Sequence, residues 1–427
     1  MSRPMTLAEK IIARAAGLAS VAPGNVVTCA VDLAMMHDSG GPRRVKPLLE
    51  KLGVKVWNPD KVVVVTDHYV PAVDAESAAI LDLTRKWTKQ QGIEAFHDMQ
   101  GICHVVLPER GHLQPGMFVV GGDSHSPTGG AFGCFMFGIG ATEMAGVLAT
   151  GETWVRVPGT ILIEWNGRLG RGLSAKDIML RLCAELGMGG GDYQVVQYAG
   201  EAVRAMGMAE RMTLCNMAAE LGGQTGMIAP DATTRDFLLQ AGAKNVDIET
   251  WQPDPGATYL KHLSFDASML APQVAAPHSP ANAASVEQHC GVAIDQAYIG
   301  ACTGAKLEDL HMAAEILRGR KVASGLRLLV APASARITTQ AASDGTLAAL
   351  TEAGAILLST GCGACAGYGA GVLAEGEVCI SSTARNFKGR MGAGTSKVYL
   401  GSPYTVAAAA VAGRISDPRE MLAEKPR

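Results

Sequence analysis

At 427 residues, 48% hydrophobic, 18% charged and 5% aromatic, the chain carries enough aliphatic material for several buried cores, three by our reading, and its composition excludes a disordered polymer. A formal net charge of -3 leaves no basic field for a phosphate backbone, so nucleic acid is excluded as the expected partner. Ten dispersed cysteines do not form a secreted disulfide scaffold, and a cytoplasmic location is the default.

Met1 to Gly17 has a helical period, but Glu9, Lys10 and Arg14 interrupt its apolar run, which argues against a membrane span or secretory leader. The continuous apolar run Val62 to Val65 predicts a strand buried on both faces and leads into Thr66-Asp67-His68. Asp74 to Gln91 predicts a helix: Asp74 caps it, Ile80, Leu83 and Trp87 share a face, and Gly92 stops it. Phe118 to Val120 is a second buried strand, ending in Gly121-Gly122-Asp123-Ser124-His125.

Val157-Pro158-Gly159 marks a boundary, followed by the apolar run Ile161 to Ile163. Asn216 and Glu220, four residues apart, are placed on one helix face. Ala271 to Ser285, rich in Ala, Pro, Asn and Ser, reads as a linker. Beyond it Ala297 to Ile299 runs into Gly300-Ala301-Cys302-Thr303, ahead of a helix with Leu310, Ala313, Ala314 and Leu317 on one face. Leu328 to Val330 and Ile356 to Leu358 follow, the latter running into Ser359-Thr360-Gly361-Cys362.

Alternating helices and buried strands predict parallel α/β domains, bounded at 1–158, 159–285 and 286–427. Ligands of open parallel sheets sit beyond the carboxyl ends of the strands, where helix amino termini and loop amides converge. Four polar clusters at four predicted strand ends therefore point to one cleft.

Cys362-Gly363-Ala364-Cys365 is the one closely spaced cysteine pair, and on spacing alone it fits a redox dithiol, half a zinc site or part of an iron–sulfur site. Cys302, on a Gly- and Thr-bearing strand-end loop, can present a third thiolate to the same cleft. Three thiolates would hold a four-iron cluster and leave one iron open as a Lewis acid. The other seven cysteines read as small buried hydrophobes. Dehydration of a hydroxy acid also needs a base and an acid, and Asp67-His68, His104, Asp123-Ser124-His125 and Glu220 supply the residue types. Each taken singly fits a cap or turn contact equally well. Arg385 and Arg390, around Asn386-Phe387-Lys388-Gly389, have the fork geometry that binds carboxylates.

Read in order, Thr66-Asp67-His68, Gly101-Ile102-Cys103-His104, Pro108-Glu109, Gly122-Asp123-Ser124-His125, Cys215-Asn216-Met217 with Glu220, Ile299-Gly300-Ala301-Cys302-Thr303, Gly361-Cys362 with Cys365, and Arg385-Asn386-Phe387 with Gly389-Arg390 resemble the aconitase superfamily, closest to the large subunits of 3-isopropylmalate dehydratase. The resemblance implies three α/β/α domains around a central iron–sulfur cleft, without the mobile fourth domain. It implies a 4Fe-4S cluster on Cys302, Cys362 and Cys365. Asp67, His68, His104, Asp123, Ser124 and His125 would then handle hydroxyl and water, with Glu220 orienting them. Arg385, Arg390, Asn216 and Ser39 would contact the substrate. Since the chain ends at Arg427, soon after the helix-like run Thr405 to Gly413, a separate small subunit is expected to bring the catalytic base and the specificity loop.

The implied activity is dehydration and rehydration of a di- or tricarboxylate, with 2-isopropylmalate to 3-isopropylmalate isomerisation foremost. Homoaconitase, citraconate or maleate hydratase and dimethylmalate dehydratase are alternatives of the same chemistry. From other classes, an RNA-binding regulator and a zinc or redox protein using only Cys362 and Cys365 are the competing readings. Three departures bear on substrate choice. Gly304 and Ala384 stand where the family commonly has asparagine, with Lys306 a possible replacement donor, and the loop His37-Asp38-Ser39-Gly40-Gly41-Pro42 differs from the usual polar pattern.

Overall fold

The computed structural model describes residues 3–423; Met1, Ser2 and residues 424–427, which fall within the expected first and third domains, lie outside that range. A parallel sheet of five strands comes first, in the order Phe96–Asp98, Val62–Thr66, Leu33–His37, Phe118–Gly121, Phe135–Gly138. Its inner strands are covered on both sides. Met35, Val63, Val65 and Val119 belong to one apolar core, while Ala34, Met36, Val62, Val64, Phe118 and Val120 belong to another that includes the amino-terminal helix Leu7–Ala15. Burial of both faces explains why these strands read as unbroken aliphatic runs and not as alternating ones.

The second sheet has four parallel strands in the order Thr225–Met227, Val195–Ala199, Thr160–Asn166, Lys261–Asp266. A third, of seven, runs Ala283–Ser285, Gln273–Ala275, Lys397–Leu400, Val378–Ser381, Gln296–Ile299, Arg327–Val330, Ile356–Leu357, with Gln273–Ala275 antiparallel to both its neighbours and every other pair parallel. Residues from all three sheets contribute to the larger core, so the cleft walls are fixed to one another through packed side chains. Among the described residues no helix is long and apolar enough to cross a membrane.

The helix Ala75–Gln91 begins and ends as predicted. Asp74 accepts the Ser77 amide at 2.7 Å, and Gly92 closes the helix in the left-handed region at φ +71°. Its buried face is shifted from the expected one. Ile80, Leu81, Thr84, Trp87 and Thr88 point inward, and Leu83 is only half-buried. Thr84 and Thr88 can be buried because their hydroxyls donate to the carbonyls of Ile80 and Thr84 at 2.8 and 2.7 Å.

Two further expectations are corrected. Ile356–Leu357 is not buried on both faces; it is the edge strand of the third sheet, and its two side chains are 49% and 36% exposed. The stretch Ala271 to Ser285 is not a free linker. Its strands Gln273–Ala275 and Ala283–Ser285 pair on the opposite edge of that sheet and pack against the helix Ala175–Leu186, and Asp177 accepts the Gln273 amide at 2.9 Å. Its small residues reflect close packing against that helix, not chain flexibility.

Candidate active site

Three loops leave the carboxyl ends of adjacent parallel strands in the first sheet, and each presents a carboxylate: Asp38 after Leu33–His37, Asp67 after Val62–Thr66, Asp123 after Phe118–Gly121. Asp38 is fully buried and accepts the amides of Ser39, His68 and Tyr69 at 3.0, 3.1 and 3.0 Å, which locks the first loop to the second. Asp67 accepts Nδ1 of His68 at 2.6 Å and the Cys103 amide at 2.8 Å, and its carbonyl accepts the Cys362 amide at 2.8 Å. The histidine loop and the cysteine loop are thus tied at one residue.

Burial opposes ionisation of Asp67, but His68 outweighs it and holds the carboxyl down at about 2. Burial likewise disfavours a charged His68, and Cys362, Asp67 and Asp38 overcome it and raise that imidazole well above the usual histidine range. His37 stacks on His68 with ring centroids 4.2 Å apart. Its Nδ1 accepts the Gly40 amide at 3.3 Å, so Nε2 carries the proton and donates to the Gly122 carbonyl at 3.2 Å. Burial, then the neighbouring His68 charge, lower its pKa.

On the other side of His37 runs a chain of charge-assisted contacts. Asp123 accepts Nε2 of His104 at 2.8 Å and the His125 amide at 2.6 Å. His125 Nε2 meets Glu220 Oε1 at 3.2 Å, Arg385 donates Nε to that same oxygen at 2.6 Å, and its Nη1 donates to Ser124 Oγ at 2.9 Å. Against the cost of burial, the histidines hold the Asp123 carboxyl well below the usual range, and His125 with Arg385 lowers that of Glu220. His104 Nδ1, Glu220 Oε2 and Asn216 Oδ1 are buried without a hydrogen-bond partner among the described residues. Buried polar atoms left open at one cleft are sites for a bound molecule to satisfy.

The cysteines arrive from the third sheet. Cys302 follows Gln296–Ile299, after Ala301 in the left-handed region at φ +67°; Cys362 precedes the turn Gly363–Ala366 and Cys365 lies within it, beyond Ile356–Leu357. These strands are parallel and separated by one other, so both loops open on the same edge. Burial, then the nearby Cys362 and Cys365, push the Cys302 thiol well up, and burial pushes Cys362 to about 12. Asn216 donates Nδ2 to Cys302 Sγ at 3.1 Å and to Thr128 Oγ1 at 2.8 Å.

Arg390 donates Nε to the Cys365 carbonyl at 2.8 Å, so it is anchored to the cysteine loop itself. Ser39, half-buried, sits in the loop that Asp38 organises, and Arg43 donates Nε to its carbonyl at 2.8 Å. Asn216 closes the helix Met208–Asn216, and Glu220 follows after a tighter 3-10 turn, so the two are not on one continuous helix face. Both nevertheless reach the cleft.

The departure at Gly304 has a steric basis. A Cβ there would lie 2.1 Å from Ser382 Oγ, whose hydroxyl bonds the carbonyls of Gly300 and Gly304. No side chain fits. Lys306 does not take over a missing amide's role: its Nζ is committed to Asp309 at 2.7 Å and to Thr213 Oγ1 and the Cys302 carbonyl, both at 3.0 Å. The donor to sulfur is Asn216.

His37 and Asp38 are the residues that sequence reasoning left out of the site. The available signal was the recurring pattern of a buried strand followed at once by an aspartate. Two open cavities reach the cleft, one of about 450 Å³ beside His68, Tyr298, Gly363 and Tyr368, the other of about 420 Å³ beside Asp123, Ser124 and Arg385. The three thiols, mostly buried and close enough for Cys362 and Cys365 to act on the charge of Cys302, with Asn216 donating to Cys302 and His68 hydrogen-bonded to Cys362, are a soft donor set that fits an iron–sulfur group.

A family model described as Aconitase family (aconitate hydratase) matches residues 9–413. The chain is 48% identical over 420 residues to the 3-isopropylmalate dehydratase large subunit 1 of Methanopyrus kandleri, covering 98% of this chain and 99% of that one. To the methanogen homoaconitase large subunit of Methanocaldococcus jannaschii it is 44% identical over 421 residues, with 97% and 99% covered. Among solved structures, that of Thermococcus kodakaraensis aconitase X (holo-form) has a similar fold, with a TM-score of 0.51 at 13% identity over 93% of this chain and 90% of that one.

Proposed function

The chain belongs to the aconitase family, and from that premise we propose that it is the large subunit of a 4Fe-4S hydro-lyase that isomerises 2-isopropylmalate to 3-isopropylmalate. Homoaconitase is the alternative, supported by a relative of that name at 44% identity. Cys302, Cys362 and Cys365 would hold the cluster, which when bound supplies an open iron as Lewis acid for the substrate hydroxyl.

The observation that carries this reading is the continuous chain His104, Asp123, His125, Glu220, Arg385 lying against the Asn216–Cys302 contact. His104 gives Nε2–H to Asp123, which leaves Nδ1 as the atom turned to a substrate hydroxyl or water. His68, with Nδ1 on Asp67, is left with Nε2 to exchange a proton on the cysteine side of the cleft. Glu220 fixes the Arg385 guanidinium, whose charge, with that of Arg390, selects a carboxylate substrate.

The residues named here supply histidine and carboxylate groups for the leaving hydroxyl, Ser124 Oγ is engaged by Arg385, and the family resemblance puts the base that removes the alpha proton on a separate subunit. A small subunit is therefore assigned that role, in keeping with the large-subunit names of the relatives. The test is to purify the chain anaerobically with the small subunit encoded nearby and screen substituted malates by the ultraviolet absorbance of the unsaturated intermediate. Turnover of isopropylmalate only with both subunits supports the reading, and full turnover by this chain alone contradicts it.

A further inference from the structure

Three lysine or arginine side chains are buried within the described residues: Lys176, Arg211 and Lys306. Arg211 is paired with Asp231 at 2.7 Å and Lys306 with Asp309 at 2.7 Å. Lys176, 1% exposed in the first turn of the helix Ala175–Leu186, has no carboxylate at ion-pair distance among the described residues. Its Nζ donates instead to the backbone carbonyls of Ser382 at 3.2 Å and Thr383 at 2.5 Å.

An ammonium buried without a counter-ion is costly, and the first turn of a helix is the wrong end of the dipole for a cation. Burial pushes Lys176 down to about 8, opposed by the charges of Glu220, Cys365, Cys183 and Cys302. The negative charge that favours the ammonium comes first from Glu220, at longer range than an ion pair, and then from the cysteines of the cleft. The carbonyl of Ser382 is shared: Thr303 Oγ1 donates to it at 3.0 Å, directly beside Cys302. Lys176 therefore stands behind the loop that packs on the cysteine site.

We propose that Lys176 is the buried counter-charge of the three-thiolate site, a positioning residue that sets the reduction potential and oxidative stability of the iron–sulfur group. This rests on the reading that Cys302, Cys362 and Cys365 hold that group. A three-thiolate 4Fe-4S group carries net negative charge, and the reduced state carries one unit more. A fixed cation in the same low-dielectric interior favours that state, so removing it lowers the potential.

The experiment is an EPR-monitored redox titration of the anaerobically reconstituted full chain, with iron content and circular dichroism measured on the same samples. Lys176→Gln keeps an N–H donor and removes the charge; Lys176→Arg keeps the charge. The expected result is wild-type iron in both, a potential shifted to more negative values in the Gln variant only, and faster loss of iron in air from that variant. A Gln variant at the wild-type potential, or an Arg variant shifted as far as the Gln variant, overturns the proposal. Should the Gln variant not fold, Lys176→Met, which preserves length and apolar packing, is read in the same way. A wild-type chain that takes up no iron refutes the cluster assignment itself, which separates the two failures.

Discussion

The two walls of the cleft are built on opposite principles. On the first-sheet side Asp67 and Asp123 are held as carboxylates by histidines 2.6 and 2.8 Å away, so the charges are in place before any ligand arrives. On the third-sheet side burial favours the neutral thiol at Cys302 and Cys362, and among the described residues the side-chain amide of Asn216 is the hydrogen-bond donor to Cys302 sulfur. One wall is preorganised, and the other would be completed by the proposed cluster. Metal ligation deprotonates a thiol, so uptake of that cluster would turn the second wall into its working state.

Mutations separate the walls by what they remove. Cys365→Ser has the largest expected effect: loss of the brown chromophore and of all measurable activity, checked by visible absorbance and turnover. His104→Ala breaks the other wall only. It retains iron and colour while kcat falls by about 10² to 10⁴-fold, as removal of a general acid does. A colourless His104→Ala protein would show that the walls are not independent.

Asn216→Ala tests their junction. Losing one outer hydrogen bond to a ligand weakens metal binding by about 10 to 100-fold, measured by competition with a chelator. The smallest effect is expected at the substituted loop. Gly304→Ala forces a Cβ against Ser382 and costs about 1–3 kcal/mol, read as a lowered Tm, and Ser382→Gly in the same chain restores part of it, because the Ser382 carbonyl 2.7 Å from that Cβ stays in place. Failure of that rescue would mean that the clash is not what keeps residue 304 a glycine.

The parts of this architecture legible in sequence were those fixed by local chemistry. The Asp74 cap and Gly92 stop bounded a helix, and aliphatic runs located the buried strands together with the polar residues at their ends. What escaped depended on neighbours distant in the chain. Ile356 and Leu357 look like core residues, and only strand order makes them an edge. The Ala- and Pro-rich stretch before residue 286 looks like a linker because its pairing partners, including Leu400, are far along the sequence. Lys176 reads as an ordinary solvated helix residue until the Ser382 and Thr383 carbonyls are seen at its end. Asp38 is hidden for the same reason, since two of the three amides it accepts come from the next strand's loop.

Whether three cysteines from two loops form one iron site against the histidine wall is decided by anaerobic reconstitution of the full chain with Mössbauer spectroscopy and iron analysis; the proposed site requires them to. It predicts about four iron atoms per chain with one iron distinct from the other three, and loss of that spectrum in each of Cys302→Ser, Cys362→Ser and Cys365→Ser. Zinc in place of iron, or an unchanged spectrum in any one of these variants, would contradict it.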